Sequence, residues 1–379
     1  VKAGASGRRA AASALLLAAG WAGAASAQSV DEVIAVHADS ATFTGVVLIR
    51  DGNGAETFRA VGSAVREFAV PHRRDTRFKW HSLTKPITSV AVHAAAARGQ
   101  LDLAAPVCRY LDPCPATWQQ LRVRHLLNHS SGIPELENEW FSGWEGDLAT
   151  TWRAIAERRT DLAPTTVPGS AFRYSNGGYV LLASILEVGT GASFHDAVAA
   201  LVFQPAEMTD AGIEHGPDRS VTPWYAGPVL VPRLAAGYNG SPAELRTAYS
   251  LMYTIPGAGA AYGTADDLVR FARAVFQNHM LPEAAMRAMV TPDTAIHPRY
   301  ADGWVVRDEG GIVSYSHTGG TNGFLASLTH YPARDLTIVI LSNLGFTDMR
   351  GLAAEVADAA LGAIPEAERR SRPTEPAKR

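Results

Sequence analysis

The sequence predicts an α+β fold in which one antiparallel sheet, assembled from both chain ends and flanked by helices, carries an inserted, mostly helical lobe. Three observations lead there. Short β-rich runs at residues 44–50 and 57–65 flank Asp51-Gly52-Asn53-Gly54, a strong hairpin signal. An Ala-rich helical pattern then starts at Ser82, and helical or loop segments dominate the middle of the chain. Strand signals return only near the end, at residues 311–316, 324–331 and 336–341.

The first 27 residues are set apart from the fold. Lys2, Arg8 and Arg9 precede an apolar run over 10–24 that closes on Ala25-Ser26-Ala27, the pattern of a secretory signal peptide with cleavage expected between Ala27 and Gln28. The rival, an anchoring helix, is disfavoured because the run falls short of the roughly 20 residues that span a bilayer and contains Gly20 and Gly23. The expected location is secreted or periplasmic, with no membrane span in the mature chain.

After the first hairpin, the helix expected over 82–97 stops at Gly99, since a C-terminal cap needs a residue tolerant of left-handed geometry. Further helices are expected at 118–128, 150–159, 178–189, 265–277 and 282–289. The last two strands are joined by Pro332-Ala333-Arg334-Asp335, and residues 349–361 read as a helix packing on the sheet. Beyond Ile364 the Glu-, Arg- and Pro-rich stretch reads as a disordered tail. One domain over 28–365 follows, with a sheet lobe at about 28–81 and 255–365, a helical lobe at about 82–254 and a tail at 366–379.

Composition narrows the function classes. Apolar residues make up 47% of the chain, enough for a sizeable core, and the formal charge of −3 becomes more acidic once the basic leader is removed. No basic face for nucleic acid is indicated. Neither H-E-x-x-H nor paired C-x-x-C occurs and the histidines are scattered, so neither a metal nor another cofactor is expected. Cys108 and Cys114 are the only cysteines; in an oxidising compartment they can pair, the alternative being two free thiols.

A serine hydroxyl is a poor nucleophile unless a base lies within hydrogen-bond reach, and S-x-x-K on a helix provides one because positions i and i+3 share a face. Ser82-Leu83-Thr84-Lys85 has that spacing, and Pro86 places it near a helix start, where the dipole is positive. A lysine in a desolvated site has its pKa lowered and can then act as a base. The only other lysines are Lys2, Lys79 and Lys378, so the match is specific. The plainer reading makes Ser82 a helix cap and Lys85 a solvated side chain. Two further segments weigh against it. Tyr174-Ser175-Asn176 puts a phenol and an amide on a loop before a helix, and His317-Thr318-Gly319-Gly320 ends one strand before another, its glycines letting a substrate lie against backbone.

In the order S-x-x-K, Y-x-N, H-T-G, these segments resemble the penicillin-recognising serine hydrolase superfamily of class C β-lactamases, D-alanyl-D-alanine carboxypeptidases, D-aminopeptidases and related esterases. The resemblance extends to His125-Leu126-Leu127-Asn128-His129-Ser130-Ser131-Gly132, Gly263-Thr264-Ala265-Asp266-Asp267-Leu268 and Leu341-Ser342-Asn343, covering most of residues 35–362. It implies a helical lobe beside an antiparallel sheet. It also implies that Ser82 forms an acyl-enzyme, that Lys85 and Tyr174 shuttle protons, and that Asn176 holds the substrate amide. His317, Thr318 and Gly319 would line the site, with the backbone N–H groups of Ser82 and Gly320 as oxyanion hole.

His317 stands where class C enzymes have Lys, which moves weight from efficient β-lactam hydrolysis toward carboxypeptidase, aminopeptidase or esterase chemistry. No Glu positioned for a separate deacylation water is recognisable. His317 is expected to be able to switch charge near neutral pH and anchor a substrate carboxylate; a permanently neutral, structural imidazole is the alternative.

The leading expectation is a hydrolase acting through an acyl-serine on amide or ester bonds of a small-molecule or short-peptide substrate: D-Ala-D-Ala-type peptides, small esters or β-lactams. Against it stands a catalytically weak penicillin- or peptidoglycan-binding sensor module. A Ser-His-Asp hydrolase is disfavoured because no G-x-S-x-G occurs. Substrate choice depends on loops at 134–147 and 217–240, and the sequence leaves the oligomeric state open.

Overall fold

The structure, a computed structural model, describes residues 28–135, 152, 162–216, 229–249 and 252–362. The expected leader and tail lie outside these residues, as do the helix expected over 150–159, apart from Trp152, and most of the two loops expected to set substrate choice.

Six strands form the main sheet: β1 (Gly45–Arg50), β2 (Glu56–Val61), β3 (Val305–Glu309), β4 (Ile312–Thr321), β5 (Phe324–Tyr331) and β6 (Leu336–Ser342). Their order is β3-β4-β5-β6-β1-β2, antiparallel throughout, so the two chain ends meet where β1 pairs with β6, Val47 opposite Ile340 and Leu48 opposite Val339. The β1–β2 turn is closed by Asp51, whose Oδ1 accepts from the N–H groups of Asn53 and Ala55 at 2.9 Å each.

Because side chains alternate along a strand, Val46 and Leu48 face the large core shared with the helical lobe, while Val47 and Ile49 face a second core. That second core is closed by Val33 and Ile34 of helix α1 (Val30–Asp39) and by Leu352 and Val356 of the C-terminal helix Met349–Leu361. Covering both faces explains why β1 reads as a continuous apolar run rather than an alternating one. Ser29 and Glu32 form a capping box at the start of α1, fixing where the helix begins.

Helix α2 (Thr84–Ala97) is buried over most of its length at the centre of the large core, followed by Gly99 at φ +73°. Helix α3 (Asn176–Thr190) packs beside it, with the Ser175 hydroxyl accepting from the Gly178 N–H. The buried turn Pro256–Gly259 lies against both, the Gly257 carbonyl accepting from the Thr88 hydroxyl. Within the same core, Ala265–Phe276 starts from a Thr264/Asp267 capping box.

Several expectations are corrected. The run at 57–65 is two strands, because the chain turns at Gly62 (φ +73°) and Ser63–Val65 leaves the sheet to pair with Val70–Pro71. Only Val123–Leu127 of the expected helix over 118–128 is α-helical, preceded by a 3₁₀ turn at Ala116–Trp118. A hairpin, Gly237–Ser241 with Glu244–Ala248, stands inside the segment expected to be mostly helical. The strand expected at 311–316 does not stop before His317-Thr318-Gly319-Gly320: β4 runs through that segment to Thr321.

Cys108 and Cys114 are joined as a disulfide, closing the loop between two short 3₁₀ turns. Among the described residues no single helix is long and apolar enough to cross a membrane, and no group of three or more His, Cys, Asp or Glu is placed to hold a metal ion.

Candidate active site

Ser82 sits in a 3₁₀ turn, His81–Leu83, that leads directly into α2. The turn is pinned by the Trp80 N–H donating to the Ala261 carbonyl at 2.9 Å and by the Thr84 hydroxyl donating to the His81 carbonyl at 2.6 Å. His81 adopts φ +49°, a left-handed conformation that costs energy for a residue with a side chain, and so presents Ser82 at the foot of the helix. Its imidazole is buried and finds no hydrogen-bond partner for either ring nitrogen among the described residues, and its pKa is lowered to about 3 by desolvation first and by Lys79 and Lys85 second.

Lys85 lies one turn on and is fully buried. Its Nζ is 3.1 Å from Ser82 Oγ, 2.7 Å from Asn176 Oδ1 and 3.1 Å from the Ala258 carbonyl. Burial lowers its pKa from 10.5 to about 7, a shift that Glu135 partly opposes. Two of its partners can only accept. The neutral amine therefore donates its two hydrogens to Asn176 and Ala258 and directs its lone pair at Ser82, the geometry of a general base.

Tyr174 covers this pair, with Lys85 Nζ 4.7 Å from its ring centroid and its phenol hydrogen-bonded to Ser82. The residue as a whole is 40% exposed, yet the phenol is desolvated where it meets Ser82, and that pushes its pKa up. Tyr174 is thus a protonated phenol at neutral pH, not a resting tyrosinate. The geometry divides the roles of the two groups: Lys85 is the one poised to lose its proton.

His317 faces the same space but cannot switch near neutral pH. It is buried, its Nδ1 is 2.7 Å from the Thr318 carbonyl and its Nε2 is 3.1 Å from the Tyr300 hydroxyl. A carbonyl only accepts, so Nδ1 carries the hydrogen and Nε2 accepts from Tyr300. The chain continues inward, the Ser175 N–H donating to His129 Nδ1 and His129 Nε2–H to the Tyr300 hydroxyl, at 3.1 Å each. Every group in this relay is satisfied with both imidazoles neutral, and burial holds His317 at about 3 and His129 well below the usual histidine range. Of the two expected states of His317, the burial and hydrogen bonds favour the neutral imidazole over the switchable carboxylate anchor.

β3 pairs with β4 only as far as Ser316, leaving one edge of residues 317–321 unpaired beside the Ser82 turn. Thr318 and Gly320 are exposed there. Gly319 is buried against the Ser82 turn so closely that a Cβ would lie 1.9 Å from the Trp80 carbonyl oxygen and 3.0 Å from the Ser82 nitrogen. Gly319→Ala should accordingly push β4 away from Ser82. The expected result is a stability loss of about 1–3 kcal/mol in denaturant unfolding and a fall in kcat/KM of about 10²-fold, the scale of an ångström-sized misplacement.

The structure thus brings Ser82, Lys85, Tyr174 and Asn176 into one hydrogen-bonded group and sets β4 along its edge. Three contributors escaped the sequence reading. The Ala258 carbonyl offers no side-chain signal. Tyr300 had no motif around it. Glu135 follows the quoted His125–Gly132 segment by three residues, and both its carboxylate oxygens accept from the Asn176 N–H at 3.0 Å. Of the other quoted segments, Asn343 is structural: fully buried, its amide donates to the carbonyls of Ser63 and Ala236 at 3.0 Å each.

Comparisons with known proteins show the family and the fold. The family model described as Beta-lactamase matches residues 30–362, and the chain belongs to that family. It is 28% identical over 319 residues to penicillin-binding protein 4* of Bacillus subtilis (strain 168), covering 79% of this chain and 68% of that protein. It is 34% identical over 258 residues to esterase EstB of Burkholderia gladioli, covering 59% of this chain and 64% of that protein. The crystal structure of a penicillin-binding protein from Bacillus halodurans superposes with a TM-score of 0.71 at 24% identity, covering 87% of this chain and 99% of that one, which shows the shared fold.

Proposed function

We propose that this protein is an exported serine hydrolase that cleaves amide or ester bonds of small molecules or short peptides through an acyl-enzyme on Ser82. The observation that carries the reading is the Lys85 amine, held by two acceptors 3.1 Å from Ser82 Oγ with its pKa lowered to about 7.

In acylation, Ser82 Oγ attacks the substrate carbonyl carbon while its proton passes to Lys85 Nζ. The oxyanion is received by the N–H groups of Ser82 and Gly320, each donor worth about 10²–10³ in rate. As the tetrahedral intermediate collapses, the C–N or C–O bond breaks and the leaving group takes the proton from Lys85 through the Tyr174 phenol. Deacylation runs the same path with water: its oxygen attacks the ester carbon, its proton moves through Tyr174 and Lys85, and Ser82 recovers its hydrogen as the carboxylic acid departs.

Asn176 keeps the Lys85 amine aimed and presents its amide to the substrate. With His317 neutral, neither histidine supplies the cationic anchor that a D-Ala-D-Ala peptide or a β-lactam carboxylate would use, which places weight on esters and amides lacking that carboxylate. The Cys108–Cys114 disulfide supports export to an oxidising compartment.

Treatment with a fluorophosphonate should add one phosphonyl group, located on Ser82 by peptide mass spectrometry, and label no other serine. Stoichiometric labelling elsewhere, with Ser82 unmodified, would overturn the assignment.

A further inference from the structure

Tyr300 takes no part in the proton transfers, yet its hydroxyl is the midpoint of a line of hydrogen bonds joining the Tyr174 segment to β4. On one side His129 Nε2 donates to it at 3.1 Å. His129 in turn holds the Tyr174 segment twice, its Nδ1 accepting from the Ser175 N–H at 3.1 Å and its carbonyl from the Arg173 N–H at 2.8 Å. The His129 and Tyr174 ring centroids are 4.3 Å apart. On the other side the Tyr300 hydroxyl donates to His317 Nε2 at 3.1 Å, and His317 Nδ1 donates to the Thr318 carbonyl at 2.7 Å. A hydroxyl has one hydrogen, and the Ser175 N–H and Thr318 carbonyl fix the two ends, so only this direction satisfies every group. The adjacent Tyr179 hydroxyl spends its own hydrogen on the Leu127 carbonyl at 2.7 Å.

Tyr300 is itself fixed from helix α2. Its N–H donates to His297 Nδ1 at 2.8 Å. Two residues on, the Asp302 carbonyl accepts from the Ser89 hydroxyl at 2.7 Å and the Asp302 carboxylate lies 3.0 Å from His93 Nε2. Ser89 and His93 belong to the helix that carries Lys85, so one rigid element places both the amine and the Tyr300 loop.

We infer that Tyr300 is a positioning residue that holds the Tyr174 segment and β4 in fixed relation beside Ser82, keeping the Tyr174 phenol in line to protonate the leaving group. The inference rests on the hydrolase reading with Tyr174 as relay, and it predicts a loss that depends on the leaving group. Benzyl acetate and p-nitrophenyl acetate share an acyl group, but the benzyl alkoxide needs a proton to depart whereas p-nitrophenolate leaves as the anion.

Tyr300→Phe removes the hydroxyl and keeps the ring, which packs against Phe172 with centroids 5.2 Å apart. Its kcat/KM for benzyl acetate should fall at least about tenfold further than for p-nitrophenyl acetate, a fraction of what a positioned general acid contributes. Tyr174→Phe should show the same split. In the wild type, which needs no substitution to fold, long-range ¹H–¹⁵N spectra at neutral pH should show His317 protonated on Nδ1 and His129 on Nε2. Unchanged rates in Tyr300→Phe, an equal loss on both esters, or the opposite tautomer at either histidine overturns the inference. An equal loss on both esters in Tyr174→Phe instead overturns the relay reading and takes the inference with it, and failure of fluorophosphonate to label Ser82, with neither ester cleaved, overturns the hydrolase reading itself.

Discussion

Ser82→Ala should lower kcat/KM for any ester the wild type cleaves by at least about 10⁴-fold, the scale seen when the nucleophile of an acyl-enzyme pathway is deleted. Residual rate would come only from the oxyanion donors and substrate positioning, neither of which uses the hydroxyl. The fold should persist. Ser82 is only partly buried, and its removal leaves Lys85 Nζ bonded to Asn176 Oδ1 and the Ala258 carbonyl. Unfolding curves of the variant should therefore lie within about 1 kcal/mol of wild type, the usual worth of one hydrogen bond. Retention of more than a few per cent of the wild-type rate would place the nucleophile elsewhere.

Lys85→Met should cost about 10²–10⁴ in acylation rate, the contribution of a positioned general base. The pH profile is the more telling readout. The proposed mechanism uses the neutral Lys85 amine as base, so wild-type acylation should rise with pH through about 7, and Lys85→Met should lose that limb. Stability shows the same group with its sign fixed by linkage. The folded pKa of about 7 lies below the unfolded 10.5, so between those values the unfolded chain binds more protons and wild-type stability gains from rising pH. The gain is absent below about pH 7, where Lys85 is protonated in both states. A Lys85→Met protein should lack this component, so the stability difference between variant and wild type should shift steadily from pH 7 to pH 10, measured by urea unfolding at matched ionic strength. A parallel pair of curves would show that Lys85 is not a desolvated base.

Much of the framework was legible because its causes are local. The i, i+3 spacing of Ser82 and Lys85 needs only a helix to place them on one face, and Pro86 and Gly99 bracket that helix. The strands at both ends announce themselves through β-branched runs such as Val46–Ile49 and Ile338–Ile340. The hairpin over 237–248 passed unseen because GYNGS and ELRTA carry neither alternation nor β-branched runs. The continuation of β4 through His317-Thr318-Gly319-Gly320 was hidden by glycines that usually mark turns; here Gly319 is needed because the neighbouring backbone leaves no room for a Cβ.

By itself the sequence singled out Ser82, Lys85, Tyr174 and Asn176 as the candidate group and determined the layered fold that carries them. Each is set by residue type, short spacing or periodicity. Tertiary structure alone decided the chemical states. The Lys85 pKa depends on burial by segments far along the chain and on acceptors at Asn176 and Ala258, 91 and 173 residues away. The neutrality of His317 depends on Tyr300 and, through it, on His129, 171 residues from that tyrosine. Glu135 enters the site only because α3 begins at Asn176, where its N–H meets the carboxylate. Desolvation and hydrogen-bond direction belong to the folded arrangement, and in this site they lower the pKa values of Lys85, His317 and His129 and raise that of Tyr174.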